Sequence, residues 1–130
     1  MTLYHFSNAR FSMFDASFLG AATIERGSDN EDTMAVSNFG FCFVDTSDKD
    51  ALEAVYGEDF GAYVATCEFD GSENYDSTWS DFCDWINRDG IEAVRECLEN
   101  DGVEFLRLDN GSFNEIIPLN AADVTIINWN

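Results

Sequence analysis

The sequence is poor in positive charge. Six basic residues, Arg10, Arg26, Lys49, Arg88, Arg95 and Arg107, face 26 acidic ones, for a formal charge of −20. Nucleic acid is bound by cations that replace the counterions of its phosphates. A chain of this balance is repelled by DNA and RNA, and by anionic membrane surfaces. Only one histidine is present, so a zinc centre built mainly on imidazoles is excluded. Four cysteines, Cys42, Cys67, Cys83 and Cys97, stand far apart with no C-x-x-C pair. Each falls within an apolar pattern, which predicts buried thiols and a reducing, cytoplasmic setting. No apolar run reaches the roughly 20 residues that a membrane span needs. The opening MTLYHFSNAR lacks the basic start and apolar stretch of a signal peptide.

What is present demands an interior. The 130 residues are 45% apolar and include 12 phenylalanines, a composition that separates the chain from disordered acidic tails. One domain covering residues 1–130 fits this length. A charge of this size opposes the compact state, which points to a partner that needs it. The partner of matching chemistry is a basic surface, such as that of a protein which itself handles nucleic acid.

Along the chain, Leu3 to Ser7 reads as a strand, and Phe11 to Phe18 as aromatic-rich and irregular. Gly27 to Thr33 is a polar loop by composition. Phe39 to Val44 is a near-continuous apolar run suited to a buried strand. Ser47 is placed to cap a helix that carries Leu52, Val55 and Tyr56 inward and stops at Gly57. Tyr63 to Phe69 reads as a strand, and Asp70 to Asp76 as a loop. Trp79, Phe82, Cys83 and Ile86 then fall at i, i+3, i+4 and i+7, one face of a helix. Gly90 ends or bends it, Ile91, Val94 and Leu98 continue the helical spacing, and Gly102 closes it. Val103 to Leu108 and Phe113 to Leu119 flank Asn110-Gly111, a hairpin signal. The lone Pro118 suggests an edge or a bulge there. Val124 to Trp129 reads as a last strand. The pattern predicts an α+β domain.

Three segments carry a resemblance. Leu3-Tyr4-His5-Phe6-Ser7 is similar to the first-strand motif of histidine-class ADP-ribosyltransferases. Phe39-Gly40-Phe41-Cys42-Phe43-Val44 is similar to their central strand, a glycine followed by alternating aromatics. The stretch from Gly102 through the Asn-Gly turn to Asn114-Glu115-Ile116-Ile117-Pro118-Leu119, continued by Ala122 to Ile127, resembles their closing hairpin. In length and acidity the chain looks most like the small phage-borne members, among them the ADP-ribosyltransferase-like anti-CRISPR proteins. The resemblance implies a split β-sheet with two to three helices, and NAD as cofactor. Glu115 would stabilise the oxocarbenium-like ribose formed when nicotinamide leaves. His5 would bond the ribose, with Tyr4 beside it, Phe41 or Phe43 would stack on nicotinamide, and Arg10 or Arg26 would approach the pyrophosphate. No metal is implied.

The sequence also departs from that family. Its central aromatic is usually tyrosine, where Phe41 and Phe43 stand here. The Ser-Thr-Ser motif of the arginine-modifying class is missing, and Phe113 occupies the place of a second carboxylate two positions before Glu115. Modification of arginine is therefore disfavoured. Each residue also has a plainer reading: His5 as a hydrogen-bonded core histidine, Glu115 as a solvent-facing carboxylate on an alternating strand, Phe41 and Phe43 as core. Two functions follow. One is an NAD-dependent mono-ADP-ribosyltransferase acting on a host protein as an anti-defence factor. The other is a non-enzymatic DNA mimic that occupies the basic groove of a CRISPR or other defence protein.

Overall fold

The computed structural model describes residues 1–7, 10–15, 36–50 and 63–130. Within them the strands are β1 (Thr2–Ser7), β2 (Val44–Asp45), β3 (Tyr63–Glu68), β4 (Asn74–Thr78), β5 (Phe105–Asp109), β6 (Asn114–Pro118) and β7 (Thr125–Trp129). Helix α1 (Trp79–Asp89) follows β4 directly, α2 (Ile91–Asn100) follows α1, and a short 3-10 turn covers Ala121–Asp123. Residues 36–39 are also helical. The result is a small α+β domain with two sheets, ordered β2-β1-β3-β7 and β4-β5-β6. The predicted loops and helix within 16–35 and 51–62 lie outside the described residues.

The first sheet is antiparallel throughout, with β3 between β1 and β7. In the second, β4 and β5 run parallel, so the chain needs a crossover between them, and α1 and α2 supply it. The sheets meet where Phe43 and Ile116 exchange backbone hydrogen bonds of 2.8 and 2.7 Å. Residues 43–45 therefore touch β6 on one side and β1 on the other. Because the Ile116 N–H and C=O both face that edge, the nitrogen of Pro118, two residues on, faces it too. Proline thus removes no bond from the β5–β6 ladder.

Among the described residues the two larger cores follow from strand alternation. Phe82, Cys83 and Ile86 of α1 and Val94 and Leu98 of α2 pack with Leu106, Leu108 and Ile117 on the helix face of the second sheet. Phe105 and Ile116, on the opposite face, join Leu3, Phe14, Phe43, Ala65 and Cys67 of the other cluster. Burying a phenylalanine of this kind stabilises by about 1.5–3 kcal/mol. Arg95 ties three segments to the first core. Its guanidinium donates to the carbonyls of Phe39 and Leu119 and lies 4.4 Å from the centre of the Phe39 ring.

The structure changes several boundaries. The run from Phe39 to Val44 is not one strand: Phe39 ends a helical turn, with the Gly40 N–H on the Val36 carbonyl at 3.3 Å, and the strand begins only at Val44. β4 falls partly within the expected loop, because its sequence, Asn-Tyr-Asp-Ser-Thr, carries no apolar alternation. Ahead of the helical residues 49–50, the Asp45 carboxylate accepts from the Asp48 N–H at 3.1 Å, and the rest of the helix that Ser47 would cap lies outside the described residues. Cys97 is exposed rather than buried. Val94 and Leu98 fill the inward stripe of α2, and Cys97 sits just off it.

Thr78 caps α1 by accepting from the Asp81 N–H at 3.1 Å. Gly90 joins the helices at φ 88° and ψ 154°, a region open essentially to glycine alone. A Cβ there meets no neighbouring atom, so a substitution acts through backbone strain only. Gly90→Ala is expected to lower unfolding free energy by roughly 1–3 kcal/mol, read from urea denaturation. An unchanged midpoint would contradict this reading of the helix junction.

Candidate functional site

Alternation along β1 turns Leu3 and His5 to one face and Tyr4 and Phe6 to the other. The His5 Nδ1 lies 2.9 Å from the Cys42 carbonyl; a carbonyl only accepts, so Nδ1 carries the hydrogen. Around the imidazole stand Phe14 at 5.0 Å, Phe43 at 5.2 Å, Phe11 at 6.1 Å and Phe41 at 6.2 Å, centroid to centroid, three of them edge-on. Edge-to-face packing at such distances is the favoured aromatic arrangement. Tyr4 packs with Phe6 against Val44 and Phe113, and the Lys49 ammonium lies 5.5 Å from its ring centre. The Arg10 guanidinium covers the Tyr63 ring at 4.7 Å.

Glu115 lies elsewhere. It pairs with Leu108 across the β5–β6 ladder, on the helix face, while its neighbour Ile116 points into the other core. Its Oε2 is buried without a hydrogen-bond partner, as is the Trp79 indole nitrogen. The indole sits close enough to favour the ionised carboxylate, yet without the alignment of a full hydrogen bond. Burial is the larger effect and pushes the Glu115 carboxyl up to about 7, with the Trp79 contact pulling the other way. A carboxylate in an apolar layer, with no cation paired to it among the described residues, is costly in its charged form.

The structure therefore gathers His5, Phe41 and Phe43, and adds Phe11 and Phe14, which the sequence reading left out of the site. It does not bring Tyr4, Arg10 or Glu115 to them. Glu115 lies on the helix face of the second sheet, whereas His5, on β1 of the first sheet, packs against Phe43 in the core on the other side. As residues for holding NAD they do not converge: the imidazole is packed among phenylalanine rings, and the carboxylate is covered by α1. Glu115 is half-buried with its Oε2 shut off from solvent, rather than a solvent-facing carboxylate. The signal for its placement was the odd-numbered register of β6, which puts residue 115 on the same face as the buried Ile117. Among the described residues, no cluster of three or more His, Cys, Asp and Glu side chains is arranged to hold a metal ion, and no helix is long and apolar enough to cross a membrane. No family model matches the chain, and no curated protein or solved structure matches it either.

The charged groups show a clearer organisation. Glu92, Glu96 and Glu99 are exposed on α2, at a spacing that puts them on one face. Asp81 and Asp84 are exposed on α1. Among the described residues the cations, in contrast, are engaged within the molecule, and Arg26 lies outside them. Arg95 is turned onto backbone carbonyls, Arg107 holds Asp45 at 3.2 Å, and Arg88 holds Asp89 at 3.1 Å. Arg10 and Lys49 cover tyrosine rings. What the outer helix face offers a partner is mostly carboxylate.

The Glu115 carboxyl has a stability consequence with a definite sign. Its folded value of about 7 lies above the ordinary 4.5, so the folded state holds the proton more tightly. The stabilisation is complete below pH about 4.5 and is lost as pH rises through about 7. Glu115→Gln removes this dependence. At pH 8 the variant is expected to be more stable than the parent by roughly 2–3 kcal/mol, and the gap should close near pH 4.5. Denaturation curves of both proteins across that range provide the check; a gap independent of pH would contradict the buried, unpaired carboxyl.

Proposed function

We propose that this protein is an acidic docking protein that occupies the basic, nucleic-acid-binding surface of another protein, as a non-enzymatic inhibitor of a nucleic-acid-handling or defence complex. The observation that carries the reading is the outer face of α1 and α2, where carboxylates project and the nearby cations are turned to partners within the fold. From Glu92 to Glu99 the helix rises about 10 Å. A DNA strand presents about three phosphates over that distance, and this face presents three carboxylates. Such a surface steers association with a basic groove and competes there with nucleic acid.

The test is displacement. Labelled duplex DNA bound to basic nucleic-acid-binding proteins, CRISPR effector complexes among them, is titrated with the protein at about 50 and about 300 mM salt, since screening grows over this range. Displacement is expected at low salt and should weaken steeply at high salt. The combined variant Glu92→Lys, Glu96→Lys, Glu99→Lys should lose it, and His5→Ala and Glu115→Gln should keep it. Failure to displace duplex from any complex, or displacement indifferent to salt, overturns the reading.

A second reading, NAD-dependent ADP-ribosyl transfer, draws on the resemblance of the first strand and on the gathering of His5 with Phe41 and Phe43 where the two sheets meet. It needs a carboxylate beside the imidazole, and Glu115 does not supply one. NAD binding to the folded protein would raise the melting temperature by mass action. A rise that His5→Ala abolishes would support this reading, and no rise at saturating NAD would remove it.

A further inference from the structure

We propose that the outer edge of β4 takes up an extended basic segment of the partner protein by strand addition. The inference rests on the docking function proposed above and adds the place and mode of contact. The Glu73 carbonyl accepts from the Phe105 N–H at 3.3 Å, and from Glu104 at 2.7 Å. Parallel alternation then directs Tyr75 and Ser77 towards β5 as well. The N–H and C=O groups of Asn74 and Asp76 consequently point away from the sheet, and β4 is the outermost strand of its sheet. Among the described residues no backbone group bonds to them. An edge of this kind is a template for another strand.

The surroundings decide which strand fits. Asp76 on the strand and Glu73 just before it are exposed. The cation opposite Asp76 in register, Arg107, is turned onto Asp45. On the helix side Tyr75 is exposed and its ring lies 5.7 Å from that of Trp85, a surface for the apolar side chains of an added strand. The strand entrance is braced, since the Glu104 carboxylate accepts from the Ser72 and Glu73 N–H groups at 3.2 and 3.3 Å. An extended chain with basic side chains on one face and apolar ones on the other matches the edge in backbone pairing and in charge.

The probe is a short capped peptide of alternating lysine and valine, titrated into the nitrogen-15-labelled protein at low salt. A second peptide of the same sequence, N-methylated at alternate residues, keeps the charge and cannot pair. The unmethylated peptide is expected to shift the Asn74, Asp76 and Thr78 amides and to slow hydrogen exchange at Asn74 and Asp76. Methylation should weaken binding about tenfold or more. Asp76→Pro costs no ladder bond, because that nitrogen faces outward; it should weaken binding similarly, and Asp76→Asn less. Equal binding of the two peptides, or shifts confined to the carboxylate-bearing faces of α1 and α2, overturns strand addition while leaving charge-driven docking intact. Absence of peptide binding from a protein that still displaces duplex DNA also overturns it. Loss of duplex displacement itself is the separate failure of the underlying reading.

Discussion

The arrangement of the molecule depends on the pair of backbone hydrogen bonds between Phe43 and Ile116. They fix the second sheet against the first through a connection of three residues, and they fix which way β6 faces. Once Ile116 points into the core shared by the two sheets, its neighbours on β6 must point towards the helices. The location of Glu115, the burial of Ile117 and the aromatic surround of His5 all follow from that one register. An aromatic at position 43 is thus as much a structural joint as a candidate binding group.

The division of the molecule is also a division of chemistry. The inner layers are apolar and rich in phenylalanine, and they enclose the Cys67 and Cys83 thiols. Burial pushes the Cys67 thiol up to about 11, with Glu68 adding to the effect. Arg95 is the exception, a half-buried guanidinium whose charge-bearing form is disfavoured by desolvation and supported by Glu99. It holds the end of the helical residues 36–39 against α2 and the end of β6. Arginine suits this position because its fork reaches two carbonyls while its plane stacks on Phe39. Outside these layers the carboxylates dominate, and a protein that carries them at this density is shaped by what it meets in solution as well as by its interior.

Much of the fold was legible in the sequence. The stripe of Trp79, Phe82, Cys83 and Ile86 defined α1, Gly90 its break, and Asn110-Gly111 the β5–β6 hairpin, because each is a local signal with a local cause. β4 was not legible, since an exposed edge strand needs no apolar alternation and its residues are mostly polar. The start of β2 was misplaced because Phe39, Phe41 and Phe43 look alike in sequence and do different work: one ends a helical turn, one leans on His5, one joins the sheets. The site was less legible than the fold. Sequence likeness put His5 and Glu115 in one constellation, and only the register of β6 against residues 43–45 separates them. The Glu115–Trp79 contact joins residues far apart in the chain and leaves no local pattern.

The bridge between Phe43 and Ile116 stays a single rung, and the reason lies in its neighbours. The next rung on one side would pair residue 41 with Pro118, whose ring nitrogen has no hydrogen to give. The next on the other side would use the Asn114 N–H, which is already given to the Asp48 carboxylate at 3.1 Å. The zipper between the halves is stopped at either end, by an imino acid and by an aspartate. Phe41 is thereby spared from the ladder and left to turn its ring beside the imidazole.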